Sequence, residues 1–286
     1  CRAEGHRPDG RLTGACARDH KWHIGMHAGD WQLGAERKAI AQMAAALREK
    51  GIEPVLTNDR DGLSQAAKAS HWVISTPPGD EGCPGFGLVG DFAREAASVT
   101  YLSTTGVYGD LDGGWAFEWS PVNPGTKRGE RRVLAEQQWL SVRPDTRLVR
   151  LPGIYGPGRS QLDRVREGKE EQIVKPGQVF SRIHVDDLAN GLFALLQHPG
   201  LSGAFNLCDE EAAPPQDVMA YAADLLGMAM PVPVDLETAD VSAMARSFYS
   251  ECKRVSNARL KAATGWRPHY PTYREGLSAI FKAENN

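Results

Sequence analysis

Short apolar runs alternate with amphipathic helical stretches from about residue 37 onward, and this alternation constrains the fold more than any other feature. The runs of strand length lie at residues 52–56, 71–75, 98–103 and 147–151. Apolar residues at helical spacing fill the intervals at about 40–50, which Gly51 ends, and at 131–141. Strands that alternate with helices in this way form βαβ units, so the sequence predicts an α/β fold with a parallel sheet.

The composition is that of an ordinary globular protein and excludes several classes of partner. Apolar residues make up 41% and charged residues 24% of 286, which is enough for one large α/β domain or a core with a smaller lobe. A net charge of -3 predicts no nucleic-acid partner, and no apolar run approaches the ~20 residues that span a membrane. Five dispersed cysteines indicate reduced thiols and a cytoplasmic location.

Hydroxyl side chains follow one of the predicted strands at the place where parallel sheets bind ligands. Such ligands lie at the carboxyl ends of strands, which directs attention to residues 76–79, 103–109 and 152–159. In the second segment, Ser103-Thr104-Thr105 can donate to or accept from a substrate carbonyl or alcohol. The alternative is a Ser/Thr-rich turn that satisfies its own backbone, and spacing alone leaves both interpretations open.

The last third of the chain predicts a smaller lobe folded against the sheet. A helix begins at Asp186-Asp187, with an Asp as its N-cap, and another runs from about Pro215 to Gly227. The proline-rich stretch 228–240 predicts a surface loop. We therefore divide the chain into a core at residues 1–175 and a C-terminal lobe with returning core elements at 176–286.

The string STTGVYGD at Ser103–Asp110 resembles the strand-five motif of extended short-chain dehydrogenases/reductases, the NAD-dependent epimerase/dehydratase group. Further strings in the family's order lie at residues 151–158, 180–189, 205–207, 253–257, 265–268 and 273–277. Together they cover roughly residues 37–277. The resemblance implies a Rossmann-type doubly wound sheet, NAD or NADP as cofactor, and a small polar, sugar-like substrate bound with the help of the C-terminal lobe.

The resemblance also implies roles for individual residues. The catalytic set comprises Thr104, at the family's Ser/Thr position, with its neighbours Thr105 and Tyr108. The cofactor-binding set comprises Ser75, Thr76, Pro77, Ser103, Pro152, Gly153, Ile154 and Tyr155. Basic side chains that suit an anionic substrate are Arg128, Arg132, Arg159, Arg182 and His184.

Two positions depart from the family's catalytic pattern. The family's catalytic Tyr and Lys lie four residues apart, and counting back from Ala135-Glu136 places Arg128 and Arg132 at those positions. Because an arginine is permanently protonated, neither can act as a general base. The pattern resembles the atypical subgroup that keeps the fold without the standard tetrad. The two arginines either bind an anionic substrate group or cofactor phosphate, or form a solvated basic helix face.

The sequence is therefore consistent with two functions. The first is an NAD(P)-binding oxidoreductase or epimerase-like enzyme on a small polar substrate. The second is a non-catalytic NAD(P)-responsive binding or regulatory protein that has lost the Tyr–Lys pair. A homodimer is compatible with either, and no membrane partner is expected.

Residues 1–34 do not match the family's first βαβ unit. A strand is predicted at Trp22–Met26, but no glycines near it have the G-x-G-x-x-G spacing that brings backbone N–H groups to a pyrophosphate. We hypothesise that this segment is a frame-shifted or otherwise altered N-terminus, which re-reading the coding DNA in the other frames tests. Cys16, His20, His23 and His27 have helical spacing, but Gly25 interrupts it, and no metal site is predicted.

Overall fold

A computed structural model describes residues 22–26, 44–168, 171–240 and 242–285. The chain forms two compact units, Cys1–Ser70 and His71–Asn286. The predicted division at residue 175 stays a prediction. Within the described residues, no helix combines the length and apolar character that crossing a membrane requires.

The first unit contains a parallel strand pair. β1 (Trp22–Met26) pairs with β2 (Ile52–Leu56), and helical residues 44–49 (α1) precede β2. α1 ends before Gly51, which has a φ of +74° that glycine adopts without strain. α2 (Arg60–Ala66) follows β2. Both predicted strands and the predicted end of the helix at Gly51 are confirmed. The glycine turns after β1 lie outside the described residues, as do the members of the Cys/His set other than His23, which lies in β1.

The second unit is built on a four-stranded parallel sheet. Its strands are β3 (His71–Ile74), β4 (Ser98–Thr104), β6 (Arg147–Leu151) and β10 (Gly203–Asn206), and their order across the sheet is β10-β6-β4-β3. β4 and β6 are the most buried because both faces of a parallel sheet are covered by other elements. The predicted strands and the predicted α/β fold with a parallel sheet are confirmed.

Shorter strands and the helices complete this unit. The two-residue strand β5 (Trp115–Ala116) pairs with β12 (Arg254–Val255), β7 (Gly153–Tyr155) with β9 (Arg182–His184), and β8 (Glu171–Val174) with β11 (Val232–Asp235). The helices are α3 (Pro84–Val89), α4 (Lys127–Val142), α5 (Gln161–Arg166), α6 (Val185–Leu196), α7 (Pro215–Leu226), α8 (Ala243–Phe248), α9 (Ala258–Thr264) and α10 (Tyr273–Glu284). Short 3-10 helices span Gly90–Glu95 and Thr105–Tyr108.

Apolar clusters hold the second unit together, and the two largest involve its helices. One joins the sheet to α6 and α9 through side chains such as Val149, Phe205 and Leu260. The other joins α5, α7 and α10 through side chains such as Leu162 and Leu277. The amphipathic helices predicted in the last third of the chain therefore pack as expected, with one face buried.

Two expectations about this region were wrong. The N-cap of α6 is His184, whose Nδ1 accepts a hydrogen bond from the Asp186 backbone N–H at 3.2 Å, so the cap is not an Asp. The stretch 228–240 contains β11 rather than loop alone. Pro233 is tolerated there because β11 lies at the edge of a two-stranded sheet, where a missing N–H costs little.

Candidate functional site

The carboxyl ends of three adjacent strands bring the predicted site segments to one edge of the sheet. β4 lies between β3 and β6, so Thr104 at the end of β4 is flanked by the segments that follow its neighbours, Ser75–Pro77 and Pro152–Ile154. Ser75, Pro77 and Gly153 are exposed, and Thr76, Thr104, Pro152 and Ile154 are half-buried. The edge therefore presents hydroxyl groups and accessible backbone.

Thr104 serves its own turn and still has a proton to donate. Its Oγ1 accepts a hydrogen bond from the Gly106 backbone N–H at 3.2 Å and caps the 3-10 helix that follows β4. Thr105 is buried within that turn. A hydroxyl that accepts one bond keeps its O–H, so Thr104 can also donate to a bound molecule. The two interpretations of this hydroxyl segment are compatible.

Ser103 belongs to a buried ion-pair network instead of the exposed edge. Its Oγ donates to Oε1 of Glu136 at 2.5 Å. Arg150 of β6 contacts the same carboxylate through two bonds, from Nε to Oε1 at 3.1 Å and from Nη2 to Oε2 at 2.8 Å. Both charged side chains are about 95% buried, with exposures of 6% and 5%. This network ties the end of β4 to α4 and β6.

Tyr108 faces the interior as well. Its OH donates to Oδ1 of Asn206 at 2.8 Å, the Arg150 guanidinium lies 4.9 Å from its ring centre, and 1% of the residue is exposed. Burial raises the pKa of this phenol above its usual value. The predicted catalytic residue thus lies beneath the site and supports the turn that carries Thr104.

Arg132, which the resemblance places at the catalytic Lys position, is bound to β4. Its Nη1 donates to the Leu102 carbonyl at 2.6 Å and to the Tyr101 OH at 3.1 Å. Burial raises the pKa of Tyr101 to about 12, although the nearby Arg132 opposes this shift. α4 can lie close to the 3-10 turn that follows β4 because it carries Gly129, where a Cβ would lie 2.9 Å from the Gly106 carbonyl oxygen.

Arg128, which the resemblance places at the catalytic Tyr position, is exposed in the first turn of α4. Its guanidinium lies 4.9 Å from the ring centre of Phe248 at the end of α8. One face of the cation therefore lies against an aromatic ring. The exposed guanidinium is available to an anion, as guanidinium groups pair readily with carboxylates and phosphates.

The other predicted basic residues and Tyr155 lie elsewhere. Arg159 is exposed in the turn it forms with Gly156. Arg182 is buried and its Nη1 donates to two backbone carbonyl oxygens. His184 is buried against the ring of Tyr155, and burial lowers its pKa, so it is neutral at pH 7. Arg182, His184 and Tyr155 therefore occupy the interior on the β7–β9 pair, away from the exposed edge.

Sequence reasoning missed the Glu136–Arg150 pair. The signal was present, because RLVRL places charged residues inside an apolar strand, and a buried arginine requires a partner. Its partner lies 14 residues away on a helix, and the apolar pattern does not identify which acid is near. Within the described residues, no three His, Cys, Asp or Glu side chains converge as metal ligands would.

Comparison with known proteins shows which family the chain belongs to. No protein-family model matches the chain. The solved structure of a functionally unknown conserved protein from Silicibacter pomeroyi is 44% identical, covers 86% of this chain and 88% of its own, and has a TM-score of 0.78. The chain belongs to the same family as that protein.

More distant solved structures share the fold. The dTDP-glucose 4,6-dehydratase of Bacillus anthracis, in complex with NAD, is 16% identical over 86% of this chain and 84% of its own, with a TM-score of 0.68. The ADP-L-glycero-D-manno-heptose-6-epimerase of Helicobacter pylori is 14% identical over 84% and 82%, with a TM-score of 0.65. The predicted Rossmann-type fold is confirmed, and the solved structures that share it include a dehydratase and an epimerase.

A curated relative carries a reductase name. The 3-diazoavenalumate denitrifying reductase of a Streptomyces species is 27% identical over 156 residues, which are 51% of this chain and 51% of that protein. The match therefore spans about half the length of this relative.

Proposed function

We propose that this chain, as a member of the family of the Silicibacter pomeroyi protein, is an NAD(P)-dependent reductase of a small, polar, anionic substrate. The observation that carries the proposal is the presence of Arg128 and Arg132 on α4, at positions where the family resemblance places Tyr and Lys. Arg132 is hydrogen-bonded to Leu102, two residues before Thr104. Phosphorylated and nucleotide-linked sugars belong to this substrate class.

Reduction fits these residues better than epimerisation. An epimerase that oxidises and re-reduces an alcohol needs a side chain to remove and return the hydroxyl proton. A guanidinium remains protonated and cannot do this. Reduction of an electron-poor centre can take its proton from water. The reductase name of the Streptomyces relative supports this choice.

The residues at the sheet edge fit a nicotinamide cofactor. Gly153 is exposed, and a Cβ placed on it would meet only the Ser181 carbonyl oxygen, at 3.7 Å, so a planar group can approach its backbone. Ser75–Pro77 and Pro152–Ile154 would hold the nicotinamide half from the two sides of β4. When bound, the reduced cofactor would supply a hydride.

Three side chains divide the work on the substrate. Thr104 would donate a hydrogen bond from its hydroxyl to the substrate's acceptor atom and orient it, while the proton that completes the reduction comes from water. Arg128 would pair with the anionic group at the exposed end of α4. Because Arg128 is exposed, a substrate could reach its guanidinium without any rearrangement of the protein. Arg132 would act indirectly, because its bonds to β4 fix the strand end that carries Thr104.

Nicotinamide fluorescence provides the first test. We expect NADH or NADPH to bind the purified protein, and we expect one of them to be oxidised by a member of a panel of anionic sugars, ketones and aromatic acids. Arg128→Ala should raise the KM for that anionic substrate about tenfold, whereas Lys127→Ala, which removes an exposed neighbouring charge, should change it less than twofold. If neither nucleotide binds, the proposal is wrong.

A second function is favoured by the same arginines. A protein that binds NAD(P) without turning over any substrate would be a nucleotide-responsive binding or regulatory protein, and it would need no general base. Tight nucleotide binding with no oxidation across the whole panel would support it over the reductase.

A further inference from the structure

The loop that follows β3 is fastened to α4 by one glutamine side chain. Gln138 of α4 uses both ends of its amide: Oε1 accepts from the Cys83 backbone N–H at 2.8 Å, and Nε2 donates to the Glu81 carbonyl at 2.8 Å. The residue between them, Gly82, has a φ of +90°. A Cβ on Gly82 would lie 2.1 Å from the Gln138 Oε1, so the amide packs directly on the glycine backbone.

The loop is closed on itself at this point. Gly79 and Gly82 exchange two backbone hydrogen bonds, at 2.8 and 3.2 Å, with Asp80 and Glu81 at the tip. The Asp80 carboxylate pairs with Arg131, one residue before Arg132 on α4. This outer ion pair is exposed, so it contributes little, and the half-buried amide of Gln138 is the stronger attachment.

The attachment continues to the predicted cofactor segment. Cys83, whose N–H Gln138 holds, is 3% exposed, and its Sγ is hydrogen-bonded to Thr76 Oγ1 at 3.1 Å. Thr76 is the middle residue of Ser75–Pro77. A chain of two hydrogen bonds thus runs from α4 through Cys83 to the edge of the sheet. The helix that carries Arg128 and Arg132 is therefore connected to the Ser75–Pro77 segment through Cys83.

We propose that Gln138 is a positioning residue that holds Ser75–Pro77 in the geometry required for nicotinamide binding. The inference rests on the proposed function, since it assigns that segment to the cofactor. Because α4 is a single helix, it fixes the spacing between the substrate cation and the cofactor segment. Without the amide, the loop would lose the two bonds that Gln138 makes, leaving the exposed Arg131–Asp80 pair, and the segment would sample other positions.

A set of three variants tests the proposal by nicotinamide fluorescence. Gln138→Ala should raise the Kd for NADH or NADPH about tenfold, because both bonds to the loop are lost. Gln138→Glu has the same shape and keeps the acceptor for Cys83 N–H but loses the donor to Glu81, so its Kd should lie between those of Gln138→Ala and the wild type. Gln137→Ala removes an exposed glutamine from the adjacent position of the same helix and should leave the Kd within twofold.

Thermal unfolding without nucleotide separates positioning from stability. If Gln138→Ala lowers Tm but binds nucleotide as Gln137→Ala does, Gln138 is only structural and the inference is wrong. If Gln138→Ala does not fold, the isosteric Gln138→Glu decides alone, and an unchanged Kd overturns the proposal. A wild type that binds neither nucleotide overturns the proposed function and this inference together, whereas equal binding by all variants overturns only the inference.

Discussion

The buried pair between Glu136 and Arg150 provides the sharpest test of how the site is held. Glu136→Gln keeps the shape of the side chain and an acceptor for Ser103, but it leaves the Arg150 guanidinium buried without a counter-charge. Removing one partner of a buried pair costs about 3–5 kcal/mol. For a unit of this size, that cost should lower Tm by roughly 10 °C.

The double-mutant cycle separates the pair from its surroundings. Arg150→Met removes the guanidinium and leaves the Glu136 carboxylate buried without a counter-charge, so it should also lower the free energy of unfolding. The double variant Glu136→Gln with Arg150→Met leaves no buried charge at either position, so it should be more stable than the two single costs predict. We expect a coupling free energy of about 2–3 kcal/mol, within the range for residues in one network.

Urea unfolding followed by tryptophan fluorescence measures these free energies, because Trp139 is fully buried on α4 beside the pair. The exposed pair of Arg131 and Asp80 supplies the control, since Asp80→Asn should change the free energy of unfolding by less than about 1 kcal/mol. If the single costs at Glu136 and Arg150 add to within about 0.5 kcal/mol, the two charges are not coupled and the account given for this network is refuted.

Three further predictions concern the loops around the site. Burial raises the pKa of Glu118 above its unfolded value, so its protonated form favours the folded state and stability is lost as the pH rises through the folded pKa. Glu118→Gln should therefore stabilise the protein more at pH 7 than at pH 4, and an equal effect in urea unfolding at the two pH values would contradict this. Gly109→Ala should cost at least about 2 kcal/mol, because φ is +68° and a Cβ would lie 2.0 Å from the Asn123 carbonyl oxygen; a wild-type Tm would refute it. Asp187→Asn should cost about 1–3 kcal/mol, because each carboxylate oxygen accepts one of the backbone N–H groups of residues 269–270 and the amide would replace one of these oxygens by an NH2 group, which cannot accept; full retention of stability would count against it.

The local elements could be predicted because each strand or helix has its own spacing of apolar residues within a short stretch of sequence. The strands at 22–26, 52–56 and 147–151 and the helix around 131–141 appear where apolar spacing placed them. The edge carrying Thr104 followed from one further rule, that neighbouring parallel strands end on the same side of a sheet. Neither inference requires knowledge of which distant residues meet.

The prediction of basic substrate contacts had less support, because it depended on whether each basic side chain points to solvent or into the protein. Arg128 and Arg182 look alike in the sequence, yet one is exposed on α4 and the other is buried with its guanidinium on backbone carbonyls. Cys83 and Gln138 are likewise separated by 55 positions in the sequence, so the contact that fastens the β3 loop could not be predicted from local patterns. Pattern arguments do not reach such pairs, since they arise only when separate elements pack.

The sequence by itself determined the main strands and helices and the parallel sheet. These follow from backbone geometry and from the spacing of apolar side chains, and the family resemblance added the expectation that Arg128 and Arg132 stand at the positions of a Tyr–Lys pair. Only the tertiary structure decided that Arg132 is bound to β4, that Tyr108 is directed inward, and that Glu136 neutralises Arg150. The physical reason is that burial and pairing of a charge depend on long-range packing, which sets the partner, the solvent access and therefore the chemistry of each group.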